Sequence, residues 1–138
     1  MSRILLLIFA ISVLGSCAKK VAFNPSTVAP GATGSVKIKR DKNKNYAIDL
    51  KVRNLPKAED LQPPKRSYTV WVETNDNRAQ NVGNLDTSVG LFSRTRKGDL
   101  ETVNSAKPVR IFVTPEDSKA PQIPGAEPIL STKLFKIK

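Results

Sequence analysis

The stretch VKIKRDKNKNYAIDLKVR, residues 36–53, holds the pattern that decides the fold. Val36 and Ile38 alternate with Lys37 and Lys39, and Tyr46, Ile48, Leu50 and Val52 alternate with Ala47, Asp49, Lys51 and Arg53. Successive side chains of a strand point to opposite faces, so apolar residues at a period of two mark half-buried strands. The residues between the two runs, Asp41-Lys42-Asn43-Lys44-Asn45, are polar turn formers, and the whole reads as a β-hairpin.

Moving toward the C-terminus, Leu55-Pro56 closes the hairpin, and Pro63-Pro64 stops any helical turn begun by Ala58, Glu59 and Leu61. Tyr68-Thr69-Val70-Trp71-Val72 is apolar or aromatic at nearly every position, the mark of a central strand covered on both faces. Asn75-Asp76-Asn77 is a turn leading into a strand over 80–85. Further strands are expected over 89–93, 100–103, 109–114 and 129–137, and no segment carries a capped helical period. The expected fold is all-β, an immunoglobulin-like antiparallel β-sandwich of seven to nine short strands over residues 35–138. The Cys…Trp…Cys spacing of a true immunoglobulin domain is missing. Toward the N-terminus, residues 17–34 are rich in Pro, Gly, Ser and Thr and read as a flexible tether, with Val21-Ala22-Phe23 as a first edge strand.

Residues 1–16 read as a processed leader. Arg3 is the positive flank, and Ile4–Leu14 is an apolar run of eleven residues, interrupted by Ser12. A membrane-spanning helix needs about 20 apolar residues, so this run is too short to remain as one. Leu14-Gly15-Ser16-Cys17 resembles the lipobox of bacterial lipoproteins. That resemblance implies cleavage before Cys17, acylation of Cys17, and a globular protein anchored in the cell envelope on the extracytoplasmic side. Two or more acyl chains give stable anchoring where one gives only marginal binding. Ala18 follows the cysteine, where an aspartate would be an inner-membrane retention signal in the enterobacterial scheme. The outer membrane is therefore the expected address if the organism has two. Cys17 is the only cysteine, so no disulfide supports the fold.

The chain carries 23 Lys and Arg against 12 Asp and Glu, a net charge of +11, and only Arg3 of those cations lies in the leader. For an extracytoplasmic protein this charge points to anionic lipid, anionic polysaccharide or an acidic envelope protein, with no nucleic acid expected. Lys37 and Lys39 on one hairpin strand, with Lys51 and Arg53 on the other, are the candidate residues for an anionic partner. Cross-strand like charges are mildly destabilising, which invites a functional reason for them. Edge lysines also discourage strand-to-strand aggregation, which is the plainer account.

The segment from Tyr68 to Thr132 resembles the C-terminal domain of anti-sigma-K factors. Tyr68-Thr69-Val70-Trp71-Val72 and Asn81-Val82-Gly83-Asn84-Leu85 match its Tyr-x-Leu-Trp … Gly-x-Leu pattern. Residues 109–117, a proline loop and Pro128-Ile129-Leu130 match its Val-Thr-x-Glu-Pro … Pro-x-x-Pro segment. The resemblance implies an extracytoplasmic β-sandwich that binds or senses. It departs at Glu116-Asp117, where the family has Glu-Pro. It also lacks the sigma-binding region and membrane helix that would precede the sandwich, so sigma-factor binding is not implied.

Catalysis has few materials. Without histidine there is neither a Ser-His-Asp triad nor a histidine metal site, and Cys17 is taken by the anchor. The pairs Glu59-Asp60 and Glu116-Asp117 would point to opposite faces on a strand. The expectation is a non-enzyme without a cofactor or metal. Glu73, Asn75, Asp76 and Asn77 supply calcium-type oxygens, but the spacing suits a turn better than an EF-hand loop. Trp71 and Tyr68 suit the core better than a sugar platform. Arg94, Arg96 and Lys97 read as a solvated turn.

Overall fold

The structure, a computed structural model, describes residues 17–89 and 96–138. It is an all-β sandwich of two antiparallel sheets built from nine strands: β1 (Lys19–Ala22), β2 (Thr33–Arg40), β3 (Tyr46–Leu55), β4 (Ser67–Glu73), β5 (Ala79–Asn84), β6 (Asp86–Val89), β7 (Arg96–Asn104), β8 (Arg110–Glu116) and β9 (Leu130–Ser131). One sheet has the order β1-β2-β3-β7-β6 and the other β5-β4-β8-β9. With β2 as strand A, these are the A-B-E-D and C′-C-F-G orders of an immunoglobulin-like sandwich, with β1 added outside A.

The decisive hairpin forms as its alternation predicts. Val36 pairs with Leu50 and Ile38 with Ile48, and all four are fully buried. In the turn, the Asp41 carboxylate accepts the backbone N–H groups of Asn43 and Asn45, and Lys44 takes the left-handed conformation at φ 63°. The prolines after Leu55 leave a single 3-10 turn at Ala58–Asp60.

β4 is the central strand of its sheet and is covered on both sides. Its Tyr68, Val70 and Val72 face the inter-sheet core with Ile111 and Val113 of β8. Its Thr69 and Trp71 face the opposite way and are also fully buried. The cover is the 117–128 loop, held by Asn81 and Asn84, whose side-chain amides donate to the Pro121 and Lys119 carbonyls. Under it Trp71 stacks on Phe112 at 6.3 Å between ring centroids. The indole N–H donates to Thr114 Oγ1 at 2.7 Å, and the Thr114 hydroxyl donates to the buried Glu116 carboxylate. Gly125 N–H donates to the same carboxylate. A Cβ on Gly125 would lie 2.7 Å from Glu116 Oε2, so glycine permits this approach.

Two expectations change. Residues 19–34 are part of the sandwich. β1 pairs with β2 from Lys19↔Ile38 to Ala22↔Ser35, and Phe23 then bridges to Thr132 beside the other sheet. Asn24 N–H donates to the Ser131 carbonyl, and Ala29 and Ala32 are buried in the core. The turn residues that suggested a tether instead shape a compact connection. The strand expected over 129–137 shortens to β9, since beyond the Thr132 bridge Phe135 and Ile137 are buried by side-chain packing without a ladder. Of the strand expected over 89–93, residues 90–93 lie outside the described residues.

Candidate functional site

Strand direction gives the sandwich two distinct ends. β3 runs from Tyr46 to Leu55, and β7 returns from Arg96, paired with Leu55, to Asn104, paired with Tyr46. Cys17 is exposed and lies two residues before β1, whose Lys19 pairs with Ile38 near the end of β2. It therefore stands at the Tyr46 end. Lys19, Arg40, Lys136 and Lys138 surround Cys17 and Ala18 around one shallow hollow.

The hairpin turn with Lys42 and Lys44 shares this end. So does the β7–β8 connection with Lys107, because β7 ends at Asn104, opposite Tyr46. Three acids toward this end are engaged. Asp41 caps its own turn, Asp76 pairs with Arg78 at 3.1 Å, and Glu73 pairs with Arg110 at 2.8 Å. The Thr74 hydroxyl, with Arg78 assisting, holds the Asp76 carboxyl below the usual carboxylate range. The oxygen-rich loop is a turn: Thr74 N–H donates to the Arg78 carbonyl and Asn77 is left-handed at φ 58°. Among the described residues no cluster of three or more metal-ligating side chains forms.

Lys37, Lys39, Lys51 and Arg53 are all exposed on the outer face of the first sheet. Register places acids among them: Lys37 lies opposite Asp49, Asp49 opposite Glu101, and Lys51 opposite Asp99. Lys20 sits beside Lys37 on β1. Lys37 and Lys39 fall toward the Cys17 end, whereas Lys51 and Arg53 fall toward the other. The face is thus a mosaic of both signs, and the larger gathering of cations is at the end of the sandwich. Residue alternation reveals which face a lysine takes but not what stands opposite it, which depends on register.

The carboxylate pairs do not converge. Glu116 is buried under the 117–128 loop, while Asp117 is exposed and bonded to Lys65 at 3.0 Å. Glu59 and Asp60 are exposed on the 3-10 turn. Tyr68 is buried and its hydroxyl donates to the Pro56 carbonyl at 2.9 Å, tying down the crossover between sheets. Burial, and then the Glu59 charge, push its phenol far above the ordinary tyrosine range against the opposing effect of Arg96. Both aromatics considered for a sugar platform are therefore packed. Within the second basic cluster, Arg96 donates to Thr87 Oγ1 and Lys97 is exposed, while Arg94 lies outside the described residues.

Among the described residues no helix is long and apolar enough to cross a membrane. No protein-family model, curated protein or solved structure matches this chain.

Proposed function

We propose that this chain is a non-catalytic, lipid-anchored protein of the cell envelope, a binding or sensing module held on the extracytoplasmic side of a membrane. The observation that carries the reading is the position of Cys17. It is exposed, only Ala18 separates it from the first strand, and the end of the sandwich around it is rich in lysine and arginine. An acyl anchor there would bring Lys19, Lys42, Lys44, Lys136 and Lys138 against the headgroups. Basic residues near an anionic surface contribute about 1 kcal/mol each. The sensing part rests on the resemblance of residues 68–132 to anti-sigma-factor sensor domains. Ala18 after the anchor supports the outer membrane in an organism with two.

Mass spectrometry of the N-terminal peptide from membranes tests the anchor. The expected result is a peptide beginning at an acylated Cys17, with Cys17→Ser moving the protein to the soluble fraction. An unmodified Cys17 within an intact or differently cleaved N-terminus would overturn it.

A second reading, a structural lipoprotein that docks on anionic lipid or polysaccharide through Lys37, Lys39, Lys51 and Arg53, is favoured by the exposure of all four on one face. Vesicle binding separates the two surfaces. Neutralising Lys42, Lys136 and Lys138 should weaken binding to anionic vesicles by on the order of 100-fold at low salt, whereas neutralising the four face residues should change it little. The reverse pattern would select the sheet face.

A further inference from the structure

At the end of the sandwich away from Cys17, the chain crosses from the second sheet to the first through Asn84-Leu85-Asp86. Leu85 plugs the core there, and its N–H donates to the Tyr68 carbonyl. Outside this plug a cleft of about 280 Å³ opens between the sheets, lined by Arg66, Ser67, Tyr68, Thr87, Arg96 and Lys119. Among the described residues, no carboxylate lies within ion-pair distance of Arg66, Arg96 or Lys119. Three cations thus line one cleft with no ion pair among the described residues.

Arg96 is the most constrained of them. Its Nη1 donates to Thr87 Oγ1 at 3.1 Å, and its Nε is shielded from solvent with no hydrogen-bond partner among the described residues. A guanidinium that has lost water at one nitrogen without gaining a partner carries an uncompensated desolvation cost. An oxyanion against the same guanidinium would offset that cost through charge-assisted hydrogen bonds. Because Thr87 Oγ1 accepts from Arg96, its own hydroxyl proton remains available to a ligand. Glu59 and Asp86 also line the cleft and are exposed. They leave the charged residues of the cleft with one excess positive charge, enough to balance one anionic charge.

We propose that this cleft binds one oxyanion group, a carboxylate or a phosphate carried by a soluble molecule, between Arg96, Arg66 and Lys119. The proposal does not rest on the anchoring reading, since the cleft and Cys17 lie at opposite ends.

The test is an amide NMR titration of the full-length protein in neutral detergent with inorganic phosphate and, separately, acetate. Sodium chloride at matched ionic strength is the reference. The expected result is saturable shifts at Ser67, Thr87 and Lys119 with at least one of the two anions. The preferred probe then distinguishes phosphate from carboxylate. Arg96→Gln should weaken binding by about tenfold or more, as loss of a charge-assisted contact does. Lys119→Gln, at an exposed loop position, should weaken it several-fold without affecting folding, and so decides the matter if Arg96→Gln fails to fold. Cys17→Ser should bind as the parent does, whatever its fate at the membrane. Saturable shifts with neither anion, or unchanged affinity in the charge variants, would overturn the proposal.

Discussion

Thr114 of β8 links two buried groups, one on the neighbouring strand β4 and one on its own strand. It accepts the Trp71 indole N–H and donates to the Glu116 carboxylate beneath the 117–128 loop. Thr114→Val keeps the shape, strands the Trp71 indole N–H and leaves the buried Glu116 carboxylate with the Gly125 N–H alone, which should destabilise the fold by about 2–4 kcal/mol. Urea unfolding followed by Trp71 fluorescence would measure this, and a loss under about 0.5 kcal/mol would contradict the linkage described. Burial of Trp71 was legible in its run of apolar neighbours. Its cover was not, because a proline-rich loop has no periodicity from which to infer what it packs on.

Tyr68 allows a pH prediction. Its phenol ionises far above the ordinary value of about 10 when folded, yet near that value once unfolded. The unfolded state then releases the proton first as pH rises, and stability falls above about pH 10. Below that range the contribution is fully present. Tyr68→Phe should flatten this part of the stability profile in alkaline urea titrations, while losing about 1 kcal/mol at neutral pH from the Pro56 hydrogen bond.

At the scale of elements, the hairpin and the central strand were the most readable parts, since alternation and continuous apolarity report burial directly. The N-terminal connection was the least readable. Asn24-Pro25 and Pro30-Gly31 signal turns whether or not the turns pack. Here Ser26 Oγ accepts the Ala29 N–H, Ala32 N–H donates to the Ala29 carbonyl, and the two alanines enter the core. Small side chains give a weak hydrophobic signal even when fully used. Gly34 marks the other end of this connection. A Cβ there would meet the Lys51 carbonyl oxygen at 2.5 Å and Val52 Cα at 3.1 Å, both backbone atoms of the paired strand. Gly34→Ala should therefore push β2 from β3 and cost about 1–3 kcal/mol by thermal or urea unfolding. An unchanged midpoint would mean that the two strands have slack. β9 illustrates the opposite error, since the strand expected over 129–137 forms a ladder only at Leu130–Ser131, with Phe135 and Ile137 buried beyond it. Phe135 N–H instead reaches the Val109 carbonyl as a single bond.

For the whole molecule, composition showed the amount of positive charge but not where it gathers. The location follows from topology, which sends the β2–β3 turn, the β7–β8 connection and residues 136–138 to the end that holds Cys17. Residue alternation pointed to the sheet face, where register interleaves Asp49, Asp99 and Glu101 with the lysines. The cleft was equally hidden, because Arg66, Arg96 and Lys119 are far apart in sequence and meet only where the chain changes sheets.

The pairing of β1 so soon after Cys17 has a consequence for reach. With only Ala18 between them, a lipidated Cys17 would hold this end of the sandwich at the bilayer, and an upright sandwich would then set the height of the other residues. β3 spans ten residues between the two ends, roughly 30 Å at the rise of an extended strand. The oxyanion cleft would then stand about that far from the lipid, well beyond the roughly 8 Å over which headgroup charge persists at physiological ionic strength. A solute arriving there would feel the arginines of the cleft and not the charge of the membrane. One rigid body would thus read lipid at its foot and solution at its crown, independently.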